Sequence, residues 1–257
     1  MIRNIKLGIK ISTDNFNLIP EIYDNQDLID YIEISIKPDF NIEELKLINN
    51  IKLPYAIHLP DSNKGINFGD VNQDKNNLEF LKNLNENMDM FNKLNPICYI
   101  IHPESGDLNY SIKNLKKIKL KPLAIENMPI KGIRGEKLLG YDPDTLKIFF
   151  KVILELEFCF DINHAIKASI TLNEDYLLFL KKILKFKKPI LFHIADGDLN
   201  VEIDNHLHLN EGEYNLNQIK KILLDFADIV HLTFETPRNL KNGINDDLKN
   251  MKIFLKL

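Results

Sequence analysis

Eight short β-rich runs divide the 257-residue chain, and stretches of helical periodicity separate most of them. Strand, helix, strand, repeated in this order, is the pattern of a parallel sheet, because parallel neighbours need a crossover connection. The expected strands are Ile5–Ser12, Tyr31–Ile36, Tyr55–His58, Cys98–His102, Leu123–Glu126, Phe158–Phe160, Ile190–His193 and Ile229–Glu235. Leu78, Leu81, Leu84, Met88 and Phe91 step by three or four and predict one long helix before the fourth strand. Similar stripes run through Leu146–Ile153, Tyr176–Ile183, Ile219–Phe226 and Leu248–Phe254; Asn17–Asp24 is a weakly marked helix. An open doubly wound sheet competes with a closed barrel. The count of eight favours closure, so the expected fold is a single-domain (β/α)8 TIM barrel over residues 1–257.

The last six strands each end in, or lead into, a residue that can bind a metal. These are His58, His102, Glu126, Asp161 with His164, His193 and Glu235; Asp204 and His206 follow in the loop after strand seven. In a parallel barrel the C-terminal strand ends converge on one mouth, where the chemistry sits. Alternation along the strands then puts Cys98 and Ile100 beneath His102, Ala124 beneath Glu126 and Cys159 beneath Asp161. A single histidine at a strand end is most often a hydrogen-bonded rim residue. Nine ligand-type side chains on one rim need partners, and a cation is the simplest one. Imidazole with carboxylate suits zinc, manganese or iron, and a bridging carboxylate can join two or three ions. His208 and His231 are read as a loop residue and a packed interior residue.

Composition narrows the rest. An apolar fraction of 44% and a formal charge of −4 exclude a disordered chain and give no strong global field for nucleic acid or an anionic membrane. Cys98 and Cys159 lie inside expected strands and read as buried thiols. The opening residues lack a signal peptide's apolar core, so a cytoplasmic protein is expected.

Several segments resemble the xylose isomerase-like TIM-barrel superfamily, and most of all its endonuclease IV (AP endonuclease family 2) branch. Ile101-His102-Pro103-Glu104-Ser105 resembles that branch's His-Pro-Gly-Ser, and Ile125-Glu126-Asn127 its Glu-Asn-Thr stretch. Phe160-Asp161-Ile162-Asn163-His164 resembles Asp-Thr-Cys-His, Asp204-Asn205-His206 resembles Asp-Arg-His, and Glu235-Thr236-Pro237 matches Glu-Thr-Pro. The resemblance implies a metal-dependent phosphoester hydrolase with two or three ions, zinc above all and manganese as the alternative, acting on abasic DNA. It implies one ion on His58, His102 and Glu126, a second on Glu126, Asp161, His193 and Glu235, and a third on His164, Asp204 and His206.

The chain also departs from that branch. It has Gly8-Ile9-Lys10-Ile11-Ser12 where the branch has Gly-x-His-Val-Ser, and the short Lys37-Pro38-Asp39-Phe40 replaces a basic DNA-reading loop. The alternative is a sugar or sugar-phosphate isomerase or epimerase of the same superfamily, in which Glu126 and Glu235 move a proton beside a carbonyl. Lys131, Arg134 and Arg238 are the candidate phosphate contacts.

Overall fold

The computed structural model describes residues 5–257. Among them are eight strands: β1 (Ile5–Ser12), β2 (Tyr31–Ser35), β3 (Tyr55–His58), β4 (Tyr99–Ile101), β5 (Leu123–Glu126), β6 (Glu157–Asp161), β7 (Leu191–Ile194) and β8 (Val230–Phe234). Each pairs in parallel with the next, and β8 returns to β1 with Ile5 opposite Val230 and Ile9 opposite Phe234. The sheet is therefore the closed barrel expected from the sequence, and the open alternative is excluded. Helices α1 (Ile19–Tyr23) and α2 (Ile42–Asn49) follow β1 and β2. Two helices, α3 (Asp74–Glu86) and α4 (Met88–Phe91), follow β3; α5 (Leu108–Leu115) follows β4 and α6 (Pro143–Val152) follows β5. Another two, α7 (Ile162–Leu172) and α8 (Tyr176–Leu184), follow β6, and α9 (Leu216–Phe226) and α10 (Asn245–Lys256) close the circuit. No described helix is long and apolar enough to cross a membrane.

One helical expectation is corrected, and α2, α5 and α7 stand outside the expected stripes. The single helix over Leu78–Phe91 is broken at Asn87 (φ −103°, ψ 12°), whose side chain donates back to the Asn83 carbonyl and amide oxygens. A side chain that competes with the backbone ladder in this way ends a helix. Leu78 is 47% exposed and lies off the buried stripe of Phe80, Leu81 and Leu84. Helix α7 had no periodic signal, because its first two turns, Ile162 to Ser169, are buried all round. A helix covered on every side has no polar face to mark its period.

Alternation gives two cores. Ile5, Leu7, Ile9 and Ile11 of β1 face outward into the layer shared with the helices. Tyr31, Ala56, Cys98, Ile100, Ala124, Cys159 and Leu191 form the separate cluster inside the barrel. Ile100, Cys98, Ala124 and Cys159 thus lie below the polar rim as alternation requires, and both cysteines are free thiols. His231 meets Tyr31 edge to face at 5.6 Å, at the end of the barrel opposite the rim, and His208 sits 3.0 Å from the Asn250 amide.

Gly8 makes room for this inner cluster. A Cβ there would sit 2.2 Å from Tyr31 Cζ, where the ring passes over β1 to place its hydroxyl 2.7 Å from Thr233 Oγ1. Gly8→Ala is expected to lower stability by about 1–3 kcal/mol through overpacking, read as a lower urea midpoint. An unchanged midpoint would show that the ring moves aside freely.

Candidate metal centre

All nine ligand-type side chains gather at the C-terminal mouth, in three sets, two of which share Glu126. Glu126 at the end of β5 is the hub, 1% exposed. Its Oε2 faces His58 Nε2 at 3.4 Å and His102 Nε2 at 3.2 Å. Its Oε1 faces His193 Nδ1 at 3.3 Å, and His193 Nδ1 lies 3.7 Å from Asp161 Oδ2 and 3.0 Å from Glu235 Oε1. In the third set, Asp204 Oδ2 lies 3.5 Å from His164 Nε2 and 2.9 Å from His206 Nε2. His102 and Glu235 stand one residue past their strands, and Asp161 ends β6 while capping α7 through the His164 amide.

The donors fit a divalent ion on three counts. Ligands 2.0–2.2 Å from one tetrahedral ion lie about 3.3–3.6 Å from each other, and the spacings above bracket that range. Glu126 Oε1 is buried without a hydrogen bond, and buried polar atoms seldom go unpaired. The imidazoles are also pre-oriented. His58 Nδ1 donates to the Leu59 carbonyl (2.8 Å) and His164 Nδ1 to the Asn127 carbonyl (2.9 Å). His193 Nε2 donates to Glu33 Oε2 (2.8 Å), and Glu104 Oε1 stands 3.3 Å from His102 Nδ1. One ring nitrogen is anchored on oxygen and the other turned to the mouth, as ligating histidines require.

Three residues of this arrangement went unmarked in the sequence. Glu33, in the middle of β2, is fully buried; its Oε2 accepts from His193 and from Thr233 Oγ1 (2.8 Å). Glu104 is 2% exposed and adopts φ 62°, a left-handed backbone rare outside glycine. Lys10 sends its ammonium to Glu33 Oε1 at 3.1 Å and forms a short ion pair with Glu235 Oε1. The inward alternation of Gly8, Lys10 and Ser12 in β1 was the one available signal for Lys10. Nothing distinguished Glu33 from an ordinary strand residue.

The candidate phosphate contacts divide. Lys131 and Arg134 line a cavity of about 190 Å³ over the donors, beneath the loop after β5. Lys131 is held in an ion pair with Glu202 across the mouth, while Arg134 is exposed. Arg238 is not among the cavity-lining residues. Its Nε and Nη2 bind Asp247 at 2.6 and 2.8 Å, and Nη2 also donates to the Lys10 carbonyl at 2.6 Å. Asp247 is 1% exposed, so this pair braces α10 against β1.

Electrostatics follow from the crowding. Burial opposes charge on Glu126, but the surrounding imidazoles, His193 and His102 first, hold its pKa well below the usual carboxylate range. Burial alone raises Asp161, and nearby Glu126 and Glu235 raise it further. Burial disfavours the charged ring of His102, yet Glu126 and Glu104 outweigh it and lift the pKa to about 10. For His206, burial is outweighed by Asp204, and the pKa reaches about 9.

A closed parallel barrel with imidazoles and carboxylates at its C-terminal mouth defines a class of proteins, and the sequence agrees. The profile of the xylose isomerase-like TIM barrel family matches residues 23–254, and the chain belongs to that family. No curated protein matches the chain significantly. Among solved structures, endonuclease IV from Thermus thermophilus superposes with a TM-score of 0.72 at 20% identity, over 98% of this chain and 99% of that one. A D-tagatose 3-epimerase-like protein gives 0.69 at 18% identity, over 98% and 97%. The 3-keto-D-glucoside 4-epimerase YcjR from E. coli gives 0.68 at 12%, over 98% and 100%. Likeness at these identities establishes the fold alone, and a nuclease and epimerase-type proteins share it.

Ligation needs neutral imidazoles, whereas the surrounding carboxylates raise the pKa of His102 to about 10 and of His206 to about 9, and raise those of His164 and His193 as well, all against burial. Divalent-ion affinity is therefore expected to climb between about pH 6 and about pH 8, roughly tenfold per pH unit for each proton expelled. Calorimetry in two buffers of different ionisation enthalpy counts those protons. Binding without proton release would remove these four residues from the ligand set.

Proposed function

We propose that this chain is a divalent-metal-dependent phosphoester hydrolase acting on a small phosphorylated substrate. The observation that carries the reading is the flanking of the central set by two more, His58–His102–Glu126 and His164–Asp204–His206. A single-ion isomerase needs only the central Glu126, Asp161, His193 and Glu235. Those nine residues would hold two or three ions, zinc before manganese given the share of imidazole. Bound ions of this type lower the pKa of water to about 7 and stabilise charge on a phosphoryl oxygen.

The chain's own residues prepare that chemistry. Glu126 offers one oxygen to each of two adjacent sets, which fixes their separation. The anchored imidazoles need no reorientation on loading. The loop after β5 lines the cavity over the donors with Met128, Pro129 and Ile133. Arg134, on that loop, has the planar donor fork that suits a phosphate entering the mouth.

A small substrate is favoured over abasic DNA by the segment after β2. Phe40 is buried against Phe80 and Phe91, and Lys37 is the one cation of the short Lys37–Phe40 stretch, beside Asp39, so this segment serves the core and offers little to a duplex. The isomerase or epimerase reading retains one specific support. Glu126 and Glu235 both approach His193 Nδ1, so two carboxylates flank one point where a proton could be exchanged.

The zinc- or manganese-loaded protein should be assayed on bis(4-nitrophenyl) phosphate, on small phosphomonoesters, on a duplex with an abasic site, and on ketoses and their phosphates in D2O. Hydrolysis of the small esters is expected, and His206→Ala should reduce it on the order of 100-fold or more. Deuterium incorporation into a sugar, undiminished in His206→Ala, would replace this reading with the isomerase. Cleavage confined to the duplex would restore DNA as the substrate.

A further inference from the structure

The potential metal-donor groups at the mouth include one that already contains a positive charge. Glu33, His58 and Glu235 come within reach of one another, and the Lys10 ammonium lies against both carboxylates. Lys10 also reaches beyond this group. The oxygen it binds, Glu235 Oε1, is the one that faces His193 Nδ1 in the central set. One oxygen thus serves both an ammonium and the place where the central set would take its ion. The outer sets meet no such competition, because the oxygens they turn inward are Glu126 Oε2 and Asp204 Oδ2.

We propose that Lys10 is a built-in cation of the barrel mouth and that, by holding Glu235 Oε1, it restricts the chain to two divalent ions, one on each outer set. This rests on the metal-dependent reading above and refines it. Three features keep the ammonium in position. Glu33 is fully buried and its Oε1 makes no hydrogen bond, so withdrawal of Lys10 would strand a carboxylate oxygen away from water. Glu33 Oε2 is occupied by His193 and Thr233, which fixes the carboxylate that fixes Lys10. The Lys10 backbone is paired in register with Glu33 and held at its carbonyl by Arg238. A divalent ion entering the central set would compete with Lys10 for Glu235 Oε1 and lie beside a like charge that Glu33 holds in place.

The test is the number of ions per chain after chelator treatment, reloading with zinc or cobalt, gel filtration and elemental analysis. The wild-type chain is expected to retain about two ions, Lys10→Met about three, and Lys10→Arg, which keeps the charge, about two. The double variant Lys10→Met/Glu33→Gln removes the stranded carboxylate together with the ammonium. It is expected to retain about three even if the single variant folds poorly. The d–d absorption of bound cobalt should gain intensity with the third ion. About three ions in the wild-type chain, or equal counts in the wild type and both Met variants, would overturn the role given to Lys10 and leave the metal-dependent reading standing. Failure of every chain to retain an ion would overturn both.

Discussion

A carboxylate excluded from water cannot stay ionised without opposite charge close by, and Glu126 is such a group. It is 1% exposed and ringed by His58, His102, His164 and His193. Those four come from β3, the turn after β4, the first turn of α7, and β7. Nothing local in the chain brings them together; closing the sheet does. Barrel closure and the compensation of Glu126 are thus one structural requirement, and the polar mouth is built on the apolar layer of Ile100, Ala124 and Cys159 below it.

The next shell converts a polar cluster into an oriented one. Two backbone carbonyls and two carboxylates, Glu33 and Glu104, face the nitrogens that the mouth does not use. Glu33 gives one oxygen to His193 and the other to Lys10, so a single buried charge positions both an imidazole and an ammonium. Arg238, a candidate phosphate contact from the sequence, belongs to this support: bound to Asp247 and the Lys10 carbonyl, it ties the end of the barrel's seam to α10.

Sequence reasoning found the strands through β-branched runs, and found the ligand-type residues because they stand where those runs end. It lost α7, whose all-round burial erases a helical period, and it ran α3 and α4 together across Asn87, whose side chain competes with the backbone ladder. Within the site it missed residues that act through other residues. Lys10 and Glu33 lie inside strands, and a charged residue there reads as half of an ordinary polar–apolar alternation. Only the partners on other strands, Glu33 and Glu235 for Lys10 and His193 and Thr233 for Glu33, show that each side chain is paired.

The sequence by itself determined the fold class and which ligand-type residues stand at the strand ends, because strand periodicity is local and a strand's last residue is fixed once its hydrophobic run ends. Tertiary structure decided which donors share an ion's worth of space, which nitrogen of each imidazole is free, and that an ammonium stands among them. Those outcomes depend on separations of a few ångströms between residues as far apart in the chain as Lys10 and Glu235. Barrel closure sets these separations; no spacing along the chain encodes them.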